Sequence, residues 1–171
     1  IRDHAVAKID IKDNVVVNRA TFGGWKIDAC PHHGPAITKG GDWGFHMAWF
    51  DGGEKAGLFY GRIDGDAWVS SPAKRFGNLN FQPSHPSLLS INEKVYLAWK
   101  EINEFGNYIV LSVSEDGGKN WLALSQERGF NACTWHNNTL ILVGNQGKIK
   151  TIPVSDMANL FQQLNPLDPT R

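Results

Sequence analysis

A chain of 171 residues is long enough for one domain with its own core, and its Lys plus Arg (17) equal its Asp plus Glu (17). That balance, with no block of Lys or Arg, argues against nucleic-acid binding through phosphate contacts, and no apolar run has membrane-spanning length. Seven Trp and nine Phe beside 18 Gly, with few helix-forming runs, favour an all-β protein rich in tight turns. The chain begins at Ile1 rather than Met. We therefore expect a processed chain or part of a longer one, and give the lack of a visible signal peptide no weight.

In chain order, NVVVNRATFGGW (Asn14 to Trp25) comes first and reads as a partial β-unit. A fuller unit follows: HGPAI (His33 to Ile37), FHMAWF (Phe45 to Phe50) and LFYGRIDGDAW (Leu58 to Trp68). The next unit repeats its order: HPSLL (His85 to Leu89), VYLAWK (Val95 to Lys100) and YIVLSVSEDGGKNW (Tyr108 to Trp121). Spacings agree, with 52 residues from His33 to His85, 50 from Trp49 to Trp99 and 53 from Trp68 to Trp121. A weaker copy is FNACTW (Phe130 to Trp135), TLILVG (Thr139 to Gly144) and KIKTIPV (Lys148 to Val154). Three or four short β-runs at a period of about 50 residues describe a propeller blade, with a β-sandwich as the competing architecture. The units fall at about 30–72, 83–125 and 130–154, with a partial one at 5–28. After 154, SDMANLFQQL places Met157, Leu160, Phe161 and Leu164 at helical spacing behind a cap from Ser155 or Asp156. NPLDPTR ends the chain as a Pro-broken tail within the segment 155–171.

The most specific local signal is Ser114-x-Asp116-x-Gly118-x-x-Trp121. Ser and Asp side chains can fix a turn by bonding its backbone, and Gly118 supplies a conformation closed to residues with a Cβ. Trp121 opens the next strand and can fold beneath the hairpin. All four residues have folding work, so the motif is structural. In the preceding unit GRIDGDAW keeps Gly65 and Trp68 but shifts Asp64 by one, and has Gly61 where Ser is required.

This box, with CPHHGPAI, FHMAWF, HPSLL and AWKE, resembles bacterial sialidase-like proteins with BNR/Asp-box repeats, exo-α-sialidase-like β-propellers. The resemblance covers roughly Asn14 to Trp121. It implies about three four-stranded blades of a six-bladed type followed by a short C-terminal helix, in an exported protein of the periplasm or cell exterior. An active sialidase uses three arginines, an Asp and a Tyr–Glu pair. Here Arg62-Ile63-Asp64 replaces the family's Arg-Ile-Pro and is expected inside a turn. None of Arg2, Arg19, Arg62, Arg75, Arg128 and Arg171 opens an inner strand, and Tyr60, Tyr96 and Tyr108 lie within β-runs. The expectation is a non-catalytic binding or scaffold module. The alternatives are an exo-α-sialidase-like glycoside hydrolase whose catalytic residues lie in other blades, and a metal-binding accessory protein.

Propeller topology gathers the start of each first strand and the end of each second strand on one face. That collects His32, His33, Asp51, His85, Lys100 and Glu101, with Glu104 beyond them. Such a set suits a carbohydrate or other polar small molecule flanked by Trp49 and Trp99, or a divalent metal on His33 and His85. It equally suits backbone capping at a channel rim, with Trp49 and Trp99 as core residues. Cys30 beside two histidines is a weak metal signal, Cys133 reads as a buried thiol, and a Cys30–Cys133 disulfide stays open. Three blades do not close a ring, so another copy, another chain or more of the same chain would complete the propeller.

Overall fold

The computed structural model describes residues 2–26, 33–41, 44–54, 56–64 and 72–164, leaving aside the side chains of 64 and 161–164. The protein is mostly β: the described residues form four antiparallel sheets and one short helix at the end. The first sheet pairs β1 (Ala5–Ile9) with β2 (Val15–Arg19). The second is the meander β3 (Ala36–Lys39), β4 (Gly44–Asp51), β5 (Gly57–Asp64) and β6 (Lys74–Phe76). The third repeats that order with β7 (Ser84–Ile91), β8 (Lys94–Asn103), β9 (Gly106–Ser114) and β10 (Leu122–Arg128). The fourth has three strands, β11 (Phe130–His136), β12 (Thr139–Gly144) and β13 (Ile149–Pro153), and α1 (Met157–Leu164) follows it.

Turn chemistry sets these meanders. Asn92 takes φ +54° between β7 and β8, and Asn137 and Asn138 take +44° and +56° between β11 and β12. Asn tolerates the left-handed region that tight hairpins demand. The strands between the turns are buried on both faces in the middle of the molecule. On β8, Val95, Leu97 and Trp99 join Ala48, Leu58, Tyr60, Phe76, Leu88 and Val110 in a core between the second and third sheets. Tyr96 and Ala98, on the opposite face of β8, join Ile109, Leu111, Leu124, Leu140, Leu142 and Ile152 between the third and fourth. A third core, with Met47, Trp49 and Ile63, lies between the first and second sheets. The period-two alternation of a strand thus feeds two cores, which is why VYLAW is apolar throughout. Each fully buried aliphatic chain such as Leu97 contributes about 1.5–3 kcal/mol.

The sheets stack in chain order, and their first strands β3, β7 and β11 neighbour one another in succession. Among the described residues none of the sheets closes on itself. The tail helix does not lie on its own sheet alone. It packs on β10 of the third sheet, and Met157 and Leu160 enter the core between the third and fourth sheets. It therefore fills space beside the three-stranded fourth sheet. Ser155 and Asp156, expected as caps, sit in a 3-10 turn (Val154–Asp156) that leads into the helix. Among the described residues no helix is long and apolar enough to cross a membrane. Cys30, Gly65 and Trp68 fall outside the described residues, and so does the tail after 164.

The Ser114 box forms as a dense local network. The Ser114 hydroxyl donates to Asp116 Oδ1 (2.8 Å) and accepts from the Gly118 N–H (2.8 Å). Asp116 also accepts from the N–H groups of Lys119 (3.1 Å) and Asn120 (2.8 Å) and from the Asn120 amide (2.7 Å). Those donors, the Asn120 backbone first, hold its carboxyl down at about 2. Trp121 donates its indole N–H to the Gly118 carbonyl (2.9 Å) and packs edge-on against Tyr60 (4.9 Å) and Phe76 (5.0 Å) of the second sheet. The turn that ends one sheet is thus docked on its neighbour.

Candidate functional site

His85 and Pro86 interrupt the pairing of β7 with β8. The register shifts between Ser84 and Ser87, because Pro86 has no N–H to give the ladder. His85 takes φ +52° there, a conformation disfavoured both by its Cβ and by the proline after it. Gln82, three residues earlier, takes φ +50°. Backbone strain of this kind costs about 1–3 kcal/mol per residue and concentrates where side chains must be aimed. Here it turns His85 towards His33, which precedes β3: the two rings meet edge-on at 4.6 Å. Phe50, near the end of β4, lies against the other side of His33 at 4.5 Å.

These groups line a cavity of about 290 Å³ at one end of the second and third sheets. Lys100, Ser84 and Gln82 add an ammonium, a hydroxyl and an amide, and Phe50, Leu79 and Ile102 supply apolar wall. The Ser84 hydroxyl lies 3.0 Å from His85 Nδ1. Among the described residues that line it, none is acidic and none is an arginine. The donor set suits an anionic or polar group held by charge-assisted hydrogen bonds, with a ring or alkyl part against Phe50. It offers no carboxylate to act as acid, base or nucleophile on a glycoside.

The six residues collected by topology separate in the structure. His33, His85 and Lys100 share the cavity. Glu101 does not: its Oε1 accepts the Trp99 indole N–H (2.8 Å) and the Asn78 backbone N–H (3.0 Å), fixing the loop after β6. Asp51 faces the first sheet, where it accepts the Gly53 N–H (2.8 Å) and lines two shallow clefts beside Gly23. Glu104 is exposed in the β8–β9 turn, and His32 lies outside the described residues. Trp49 and Trp99 are core residues and neither lines the His33–His85 cavity, Trp49 stacking near Phe59 at 6.0 Å. Among the described residues no three His, Cys, Asp or Glu side chains are placed to hold a metal. Cys133 is a free, half-buried cysteine on β11, and burial pushes its thiol up to about 12, well away from reactivity.

Two features had no clear sequence signal. One is a buried pair: His46 Nδ1 lies 2.6 Å from the Tyr60 hydroxyl, between neighbouring strands of the second sheet. Burial, and then the nearby Arg62 charge, lower His46 to about 4. The other is a larger cleft of about 650 Å³ at the opposite end of the third sheet, lined by Ile91, Tyr96, Val113, Leu124 and Met157. Two of its charged groups are spent on each other, Lys94 donating to Glu115 at 2.7 Å, so it offers little to orient a polar ligand. Compared with protein-family models, curated proteins and solved structures, the chain matches none of them.

Proposed function

We propose that this chain is a sialidase-like β-propeller segment that binds a small anionic or polar molecule, of the carboxylated-sugar kind, without reacting with it. The observation that carries this is the convergence of His33, His85 and Lys100 on one cavity beside Phe50, with strained backbone aiming His85. The propeller part draws support from successive meanders stacked in chain order with their first strands adjacent, and from the Ser114 box. The non-catalytic part draws support from a lining whose described residues include no carboxylate and no arginine. Export, and a place within a larger assembly, go with this reading; export rests on the resemblance alone.

The test is calorimetric titration with N-acetylneuraminic acid and glucuronic acid, and with glucose as the neutral control. At least one acid should bind more tightly than the neutral sugar. His85→Ala and Lys100→Ala should each weaken it roughly tenfold, about 1.4 kcal/mol. Heat changes that are absent, or unaffected by both substitutions, would remove the cavity as a site. Turnover of a chromogenic sialoside would replace the reading with the glycosidase alternative.

A further inference from the structure

The stack of sheets ends in two apolar faces, and they are of opposite kinds. Within the chain, each sheet turns one face back to the sheet before it and one forward to the sheet after it. The forward face of the third sheet carries Tyr96, Ala98, Ile109, Leu111 and Val113, which pack into the core shared with the fourth sheet. In the fourth sheet, Leu140 and Leu142 point back into that core. The alternate positions Ile141 and Val143, with Thr134, Ile149 and Thr151 beside them in register, therefore form a forward face. None of the described residues covers it: Ile149 is 67% exposed and Val143 44%. The strand residues on this face include no Lys, Arg, Asp or Glu, unlike an ordinary solvated sheet face.

At the other end, Val6 of the first sheet packs towards the second sheet. The opposite face pairs Ala7 with Val17 and Ile9 with Val15. It is a backward face, with Val17 62% and Ile9 64% exposed. Its one charge, Arg19, is bonded to Asp3 and to the Thr21 carbonyl.

We propose that a second copy of this chain docks head to tail, seating its first sheet on the fourth sheet of its partner. Forward-on-backward contact is the arrangement found between every pair of successive sheets in the chain. Only a head-to-tail joint continues it, whereas joining two fourth sheets would set forward on forward. Val, Ile and Thr on both faces give the pleated, β-branched surfaces that pack sheet on sheet. Such a joint is heterologous, and two copies close a ring when the rotation between them allows it. This deepens the assembly part of the proposed function and rests on the stacked-sheet reading, not on the cavity.

The test is native mass by light scattering on the purified chain. Wild type should run at twice the chain mass or a higher whole multiple at tens of micromolar. Val17→Lys spoils only the backward face and Val143→Lys only the forward face. Both positions are exposed, so fold is retained, as circular dichroism would verify; Ile9→Lys and Ile149→Lys are the second pair. Each variant alone should be monomeric, and an equimolar mixture of Val17→Lys with Val143→Lys should recover a dimer through the one intact joint. A monomeric wild type overturns the proposal. So does a Val17→Lys variant that keeps the wild-type mass, since the first sheet would then take no part in the joint. Sugar titration of the same preparations reports on the cavity independently, so either idea can fail without the other.

Discussion

His46 gives the sharpest pH test of the packing between strands. It is 2% exposed on β4, with Tyr60 beside its Nδ1 and the cation Arg62 opposite it in register. A proton on this ring would place a second positive charge in a dry site next to Arg62, so its pKa falls from 6.5 to about 4. The folded pKa lies below the unfolded one. The unfolded chain therefore takes up the proton first as pH falls. Stability is complete above about 6.5 and is lost progressively down to about 4. At about 1.36 kcal/mol per pH unit, the full effect is no more than about 3 kcal/mol. Between pH 7 and 5 roughly 2 kcal/mol of it should go. The assay is urea unfolding at pH 7 and pH 5 on wild type and His46→Gln, which is polar but cannot charge. Wild type should lose about 2 kcal/mol more than the variant across that window. Asp116 and Asp10, held below the usual carboxylate value, titrate too low to interfere. Equal pH slopes in the two proteins would refute the reasoning.

Other substitutions test the junctions between sheets. Gly118 sits at φ +90°, and a Cβ there would overlap the Tyr60 hydroxyl. Gly118→Ala should therefore cost about 2–4 kcal/mol in denaturant unfolding, from backbone strain and overpacking together. Tyr60→Phe should return part of that loss in the double variant, and strict additivity would contradict the contact. Asp116 is lowered to about 2, so the hydrogen bonds of the box should stay intact above about pH 4 and open as pH falls to 2. Amide exchange at Lys119 and Asn120 reads this, and opening already at pH 5 would count against it. Met157, the first residue of α1, is buried in the core under the helix, and Met157→Ala should cost about 2–4 kcal/mol in thermal or urea unfolding. An unchanged midpoint would mean that the helix is not anchored there.

The sequence was most readable where structure is local. The side-chain hydrogen bonds of the Ser114 box all run within the eight residues 114–121, so spacing alone points to a fixed turn. The continuous apolar run VYLAW likewise announced a strand buried on both sides, though not which sheets would cover it. The site was only half legible, and strand geometry gives the reason. Lys100 and Glu101 are neighbours on β8 and must point to opposite faces, so only one of them can reach the cavity. Phe50 and Asp51 divide in the same way at the end of β4: the residue singled out faces the first sheet, while its neighbour walls the cavity. Applying that parity to the His85 and Lys100 ends would have pointed to Phe50. No such rule predicts Gln82, whose place in the wall depends on a loop in left-handed conformation. The covering of β10 by α1 was beyond periodicity, which finds an apolar stripe but not the sheet it will meet.

The most direct test of a ligand seat at His33, His85 and Lys100 is to watch the imidazoles themselves. The chain has six histidines, few enough to assign one by one in a nitrogen-15 NMR spectrum. Titrated with the carboxylated sugar that binds, His33 and His85 should shift together and saturably, while buried His46 and the distant His136 stay where they are. Shifts confined to residues of the cleft under α1, or a saturating sugar that moves neither His33 nor His85, would contradict the account.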